Sequence, residues 1–223
     1  MSYILNIETA TKNCSVSVAQ NGVTLLYREM AEEGYSHAEK LHVFIDETLR
    51  TLQLTYGDLA AVAISQGPGS YTGLRIGTSA AKGLCFALDI PLIAVDTLAV
   101  LAAQATVDNG YIVPVIDARR MEVYSAVFNA QHEKIREVKA EIITENSFSE
   151  LEEVVFFIGD CTSKCKSVLK KSSFIFGNDV VYPSANEMSR LSYEMYQKSD
   201  TVDVAYFEPY YLKDFMVTIP RKL

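Results

Sequence analysis

The sequence predicts an α/β fold with mixed sheets flanked by helices, and two observations support this prediction. First, residues 61–95 read as strand, helix, strand, the unit from which parallel sheets are built. Second, each half opens with a strand that an acidic residue closes just before a hairpin, Glu8 in one half and Asp117 in the other. The 223 residues, 49% of them hydrophobic, suffice for one large core or two small ones. We therefore expect two copies of one lobe, residues 1–103 and 104–223.

The first lobe is predicted to open with an antiparallel meander followed by a helix. Its strands are expected at 3–8, 15–20 and 23–28, and Asn21-Gly22 between the last two is a strong hairpin signal. Ser36 and Glu39 then form an S-x-x-E capping box, in which the hydroxyl and the carboxylate satisfy free backbone N–H groups. Apolar residues recur at helical spacing as far as Leu52, which predicts a helix with one buried face.

The glycine-rich loop between the strand 61–65 and the helix 74–88 does not match a known nucleotide loop. Its spacing is G-x-G-x-x-x-G, Pro68 removes one N–H donor, and no G-K-[ST] ending follows. In the helix, Ile76, Ala80, Gly83 and Ala87 share one face. Small residues there allow close approach by another helix, and the pattern fits packing within the core as well as packing at an interface.

The second lobe repeats the opening of the first. Strands are expected at 111–117, 122–128, 135–140 and 154–159. A second capping box at Ser184 and Glu187 starts a helix that buries Met188, Leu191 and Met195. The stretch 162–181 has no clear period.

Composition narrows the functional class. No apolar run approaches the roughly 20 residues needed to cross a bilayer, and no basic leader precedes the first strand, so we expect a cytoplasmic protein that does not bind membranes. The four cysteines show no CxxC pair, which argues against a disulfide framework or a zinc site. A net charge of −8 disfavours direct nucleic-acid binding, although the excess acid could serve either solubility or docking.

Glu8 and Asp117 are the candidates for a nucleotide site. Carboxylates that face each other across a cleft can hold a hydrated metal ion while hairpin N–H groups hold phosphate oxygens. The alternative is that both are polar residues at strand ends beside turns. No catalytic residue or metal ligand is predicted, because the sequence has no G-x-S-x-G elbow, no nucleophilic cysteine signature and no histidine pair at ligand spacing.

Several segments together resemble the TsaB (YeaZ) family. They are GPGSYTGLRIG at 67–77 with AAKGL after it, ILNIETA at 4–10 with SVSV at 15–18, VIDARRMEVY at 115–124 and PYYL at 209–212. The resemblance implies two ribonuclease-H-like lobes of the actin-like ATPase fold. It also implies a noncatalytic subunit that docks the paralogue TsaD, which transfers a threonylcarbamoyl group to tRNA, with the ATPase TsaE completing the assembly.

The resemblance further implies which residues contact the partner. The docking residues would be Ser70, Tyr71, Thr72, Gly73, Leu74, Arg75, Ile76, Ala80 and Gly83. The same surface would form a homodimer when TsaD is absent, and tRNA would be reached only through the complex. The alternative is an ATP-dependent kinase or ATPase, or a metallopeptidase, of the same superfamily.

Three departures from the family pattern weaken the nucleotide site. Glu8 stands where the family more often has Asp, Ala10 stands where superfamily ATPases have Gly, and Arg119-Arg120-Met121 replaces a glycine-bearing turn. We therefore expect Glu8, Thr9 and Asp117 to form a vestigial nucleotide-binding site. The chain would have no cofactor of its own, and ATP or ADP with magnesium would bind only weakly or at an interface in the assembled complex.

Overall fold

The first sheet of the computed structural model, which describes residues 2–31 and 37–213, has five strands in the order β3-β2-β1-β4-β5. These are β1 (Tyr3–Glu8), β2 (Asn13–Gln20), β3 (Val23–Ala31), β4 (Leu59–Ser65) and β5 (Leu92–Val95). The first three strands pair antiparallel, whereas β4 runs parallel to β1 and β5 runs parallel to β4. The predicted meander and the predicted parallel unit therefore lie in one mixed sheet.

The second sheet has the same topology, in the order β10-β9-β6-β7-β8. Its strands are β6 (Tyr111–Asp117), β7 (Glu122–Asn129), β8 (Lys134–Ile142), β9 (Val155–Ile158) and β10 (Phe174–Phe176). Here too the three consecutive strands pair antiparallel, and β9 and β10 extend the sheet in parallel. The duplicated layout predicted from Glu8 and Asp117 is thus present strand for strand.

Five helices lie on the sheets within the described part of the chain. They are α1 (His37–Thr51), α2 (Tyr71–Leu88), α3 (Thr97–Ala102), α4 (Thr162–Val168) and α5 (Ala185–Gln197), and a single 3-10 turn spans Tyr56–Asp58. None of the helices in residues 2–31 and 37–213 is long and apolar enough to cross a membrane. Ser36, the predicted start of the first capping box, lies outside the described residues.

Helices α1 and α2 lie side by side on one face of the first sheet. Leu41 and Ile45 of α1 and Ala81 and Cys85 of α2 share one core with the buried side chains of β1 and β2. Both β1 and β2 are buried along nearly their whole length, because helices cover both of their faces. Strand β3, at the edge, alternates between exposed and partly buried residues instead.

The opposite face of the first sheet is covered by α5, although α5 follows the second sheet in the sequence. Met188 of α5 is fully buried with Ile4, Ala61 and Ile93 of the first sheet. In return α3, which follows the first sheet, places Leu98 and two further residues in the core of the second sheet. The division into 1–103 and 104–223 stays a prediction, and α5 crosses it.

The structure adds elements that the sequence pattern did not predict. Helix α3 is capped by Asp96, whose carboxylate accepts hydrogen bonds from the amides of Leu98 at 2.7 Å and Ala99 at 3.2 Å. Helix α4 and strand β10 lie in the stretch that shows no clear period. The predicted start of α5 at Ser184 is confirmed, since the Ser184 hydroxyl accepts a hydrogen bond from the Asn186 amide at 3.3 Å. The predicted capping box is not formed as expected, because the Glu187 carboxylate accepts a hydrogen bond from the Asn186 side chain at 2.7 Å.

Candidate functional site

Glu8, at the end of β1, is fully buried inside the first lobe. Its carboxylate accepts hydrogen bonds from the Ala10 amide at 2.6 Å and from the Ser65 hydroxyl. Burial disfavours the charged form and raises the pKa of Glu8 to about 7, although both hydrogen bonds act in the opposite direction. The side chain therefore supports the turn that follows it and does not line a cleft.

The turn after Glu8 is packed against the start of α2. The Thr9 hydroxyl donates a hydrogen bond to the Gly73 carbonyl at 2.8 Å, and the Ser70 amide donates to the Ala10 carbonyl at 2.6 Å. A Cβ atom on Gly73 would lie 2.0 Å from the Thr9 carbonyl oxygen, so only glycine allows this approach. The start of α2 thus packs directly against the Thr9 side of the hairpin, while Ala10, Thr11 and Lys12 border the cavity described below.

The second hairpin begins at Asp117, whose carboxylate is partly exposed. It pairs with the Lys164 ammonium and accepts a hydrogen bond from the Arg119 amide at 3.2 Å. The Asp117 amide donates to the Asp160 carboxylate at 2.9 Å. Burial, followed by the nearby Asp117 charge, raises the pKa of Asp160 to about 6. Asp160, which lies two residues after β9, was not predicted as a site residue, although an acidic residue just after a parallel strand is a signal in the sequence.

A cavity of about 330 Å³ lies between the two hairpins. Asp117 lines it, whereas Glu8 and Thr9 do not, so the two strand-end carboxylates do not face each other across it. The cations and aromatic rings in its lining are Lys12, Arg119, Lys213, Tyr71, Tyr124, Tyr210 and Tyr211. The carboxylates of Asp117 and Asp160 lie in the same lining, so the cavity is mixed in charge, and its aromatic rings suit a planar group. In residues 2–31 and 37–213 no three histidine, cysteine or acidic side chains cluster as metal ligands would.

The predicted docking residues fall on two sides of α2. Gly73, Leu74 and Ala80 are buried within the chain, so their assignment to a docking surface is corrected. They pack inside the lobe, and the small-residue stripe is divided, because Ala80 is buried whereas Gly83 and Ala87 are exposed. Thr72, Arg75 and Gly83 are exposed, and Ser70, Tyr71 and Ile76 are partly buried. For these six residues docking stays a prediction.

The outward face of α2 is formed by six exposed residues, five of which recur every three or four positions while the sixth adjoins the last of them. They are Thr72, Arg75, Ser79, Gly83, Phe86 and Ala87. Phe86 is 85% exposed, and a Cβ atom on Gly83 would meet no other atom within 4 Å. A large aromatic side chain thus stands beside an open position on the same helix. Phe86, which lies three residues after Gly83 and off the apolar stripe, was not predicted as a site residue.

Comparison with known sequences places the chain in a family. The sequence model of the family described as "TsaD: tRNA N6-adenosine threonylcarbamoyltransferase" matches residues 31–206. The chain is 30% identical over 221 residues to the tRNA threonylcarbamoyladenosine biosynthesis protein TsaB of Escherichia coli K12, which covers 95% of this chain and 94% of that protein. It is 33% identical over 111 residues to a tRNA N6-adenosine threonylcarbamoyltransferase of Bacillus thuringiensis, which covers 43% of this chain and 32% of that enzyme.

The fold also matches a solved structure, YeaZ from Pseudomonas aeruginosa. The TM-score is 0.84 at 25% sequence identity, over 95% of this chain and 100% of that chain. Together with the paired five-stranded sheets, this match confirms the predicted α/β fold of two ribonuclease-H-like lobes of the actin-like ATPase type. From its sequence over nearly the whole length and from its fold, the chain belongs to the TsaB (YeaZ) family.

Proposed function

We propose that the chain acts in tRNA threonylcarbamoyladenosine biosynthesis as a noncatalytic subunit that binds and activates a TsaD-type transferase. The names of its relatives support the pathway. The docking role is supported by one observation above the others, the outward face of α2 with Phe86 exposed beside Gly83. Exposed aromatic side chains next to a shallow open position are typical anchors of protein interfaces.

Helix α1 extends this face. Val43, on its outward side, is 46% exposed, and α1 packs beside α2 on the same side of the sheet. Burial of a phenylalanine side chain contributes about 1.5–3 kcal/mol, and an aliphatic neighbour adds further apolar area. The pair of helices can therefore supply an apolar centre for an interface with a polar rim.

The noncatalytic role is supported by the state of the acidic residues. Glu8 is enclosed within the first lobe, and Asp117 is neutralised by Lys164. A buried, hydrogen-bonded carboxylate and an ion-paired one are poorly suited to hold a hydrated metal ion. The reaction itself would then belong to the transferase partner.

Replacement of Phe86 by alanine tests the docking role. We expect Phe86→Ala to weaken binding to the cognate TsaD-type transferase at least about tenfold and to leave the melting temperature unchanged, because the ring contacts solvent in the free chain. Ile142→Ala, which removes a 66% exposed side chain from β8, is the matched control. Calorimetry and size-exclusion chromatography measure the effect. Equal binding by Phe86→Ala and wild type would overturn the assignment of this face.

Nucleoside analysis tests the pathway. A strain without the chain should lose threonylcarbamoyladenosine from its tRNA, wild type should restore it, and Phe86→Ala should restore it poorly. Normal modification in the depleted strain would contradict the proposed function. Strong nucleotide hydrolysis by the isolated chain, abolished by Asp117→Ala, would instead favour an enzyme.

We further propose a homodimer through the same helices when the transferase is absent, and TsaE as an additional partner. Phe86→Ala should then shift the isolated chain to a monomer in analytical ultracentrifugation.

The net charge of −8 supports tRNA contact through the complex alone, because phosphate binding needs a basic face. ATP or ADP with magnesium is proposed to bind weakly or at the subunit interface, which titration of the isolated chain and of the complex would distinguish. Four free cysteine thiols fit the proposed cytoplasmic location.

A further inference from the structure

The segment after α5 returns to the first lobe, where hydrogen bonds hold it. The Val202 amide donates a hydrogen bond to the Leu92 carbonyl at 2.9 Å. The Lys82 ammonium of α2 donates to the carbonyls of Ala205 at 3.1 Å and Phe207 at 3.0 Å. The segment therefore runs along α2 toward the helix start.

At the start of α2 the segment contacts both backbone and side chains. The Tyr210 amide donates to the Gln66 carbonyl at 2.7 Å. The Tyr211 ring lies 4.8 Å from the Tyr71 ring, centroid to centroid. The Arg75 guanidinium lies 4.5 Å above the Tyr71 ring, and the Tyr211 side chain raises the pKa of that guanidinium. The Tyr71 ring, which Tyr211 contacts, thus holds Arg75, an exposed residue of the α2 face, in place.

The next two residues reach the second lobe. Leu212 packs against the core of the second sheet, beside Ile116 and Ala118. The Lys213 ammonium donates to the Ala118 carbonyl at 3.2 Å and pairs with the Glu122 carboxylate. Residues 210–213 also line the cavity between the two hairpins. In five residues the chain passes from the helix start of one lobe to the hairpin of the other.

We infer that residues 209–213 form an interlobe strap, which joins the α2 face to the second hairpin and positions Arg75 for a docking partner. Release of the strap would therefore have two effects. It would free the second hairpin, and it would loosen Arg75 on the docking face. The first effect concerns the isolated chain, whereas the second rests on the proposed function.

Hydrogen exchange on the isolated chain tests the first effect. Tyr211→Ala should make the hydrogen-bonded amides of Ala118 and Glu122 exchange about tenfold faster, while amides of β2 keep their protection. The control is Tyr206→Ala, which removes an 84% exposed ring from the same segment. Unchanged exchange at Ala118 and Glu122 in a folded Tyr211→Ala variant would overturn the strap.

Calorimetry with the TsaD-type transferase tests the second effect. Tyr211→Ala should bind about tenfold more weakly than wild type, and Tyr206→Ala should bind as wild type does. If wild type itself fails to bind, the proposed function fails while the exchange result still decides the strap. If wild type and Tyr211→Ala bind equally, Arg75 is not positioned by the strap.

Two further variants separate the strap's parts. Tyr211→Phe keeps the ring contact with Tyr71 but removes the hydroxyl, so it should preserve hairpin protection and weaken partner binding. Lys213→Ala removes the distal contact, so it should speed exchange at Ala118 and spare the Tyr71 contact. If Tyr211→Ala unfolds, Lys213→Ala decides the strap alone, and unchanged exchange at Ala118 would then overturn it.

Discussion

The burial of Glu8 lowers the free energy of unfolding by an amount that depends on the protonation of its carboxyl group. In the folded chain its carboxylate has no solvent contact, and burial raises its pKa from 4.5 to about 7. Below pH 4.5 the group is protonated in both the folded and the unfolded chain, so folding pays no charge-burial cost. As the pH rises from 4.5 to 7, the unfolded chain ionises first and stability falls. Above pH 7 the full cost is present, about 3 kcal/mol for a shift of this size.

Glu8→Gln should remove this pH dependence. The amide oxygen can still accept from the Ala10 amide, and the amide nitrogen can donate to the Ser65 hydroxyl, so the local geometry should persist. We expect the variant to gain free energy of unfolding relative to wild type at pH 8, with the difference shrinking toward pH 5. Urea unfolding at both values measures this. A difference that does not change with pH would contradict a raised pKa.

The position of Glu8 at a strand end could be predicted from the sequence, whereas its burial could not. Strand length and the hairpin that follows set the position. Burial depends on Ser65, which is 57 residues away along the chain. Asp160 was missed for the same reason, since its proximity to Asp117 depends on β9 lying beside β6.

Glycine is required on the inner side of helix α2 but not on its outer side. Gly69, two residues before the helix, and Gly73 lie against the first hairpin, where a Cβ atom would come within 2.3 Å and 2.0 Å of carbonyl oxygens. Gly83 lies on the outer side with open space around it. The sequence predicted the helix and its small-residue stripe, but it left open which side was core. The contact between Gly73 and Thr9 shows which side is core. The sequence does not predict this contact, because Thr9 lies far from α2 along the chain.

Gly73→Ala and Gly83→Ala form a matched pair. The first should lower the free energy of unfolding by about 1–3 kcal/mol, because the added methyl group overlaps the Thr9 carbonyl. The second should raise it by up to about 1 kcal/mol, because alanine favours the helix and meets no neighbour. Chemical denaturation of both variants measures the difference. Equal stability would contradict the close packing of α2 on the hairpin.

Each half of the molecule contributes a helix that packs on the sheet of the other half. The repeated strand pattern predicted two lobes of one topology, and the structure has them. The helices do not follow that division, because α5 covers the first sheet and α3 packs on the second. Hydrophobic periodicity shows that a helix has a buried face, but it does not show which sheet buries it.

A fragment of residues 1–103 should therefore fail to fold alone. Without α5 the face that contains Ile4, Ala61 and Ile93 stays uncovered, and α3 has no second sheet to pack on. We expect weak near-ultraviolet circular dichroism and binding of a hydrophobic dye, in contrast to the full chain. A peptide that spans α5 should restore order when added. Cooperative thermal unfolding of the fragment by itself would contradict this expectation.

The exchange of helices also sets an order of events during synthesis. The strands β1 and β4 leave the ribosome early, but the helix that completes their second face is made only at residues 185–197. Until then one side of the oldest sheet stays apolar and open to chaperones or to neighbouring nascent chains. Most of the chain is therefore made before its first sheet is covered on both faces, and a premature stop upstream of α5 would yield a polypeptide without a sealed first lobe.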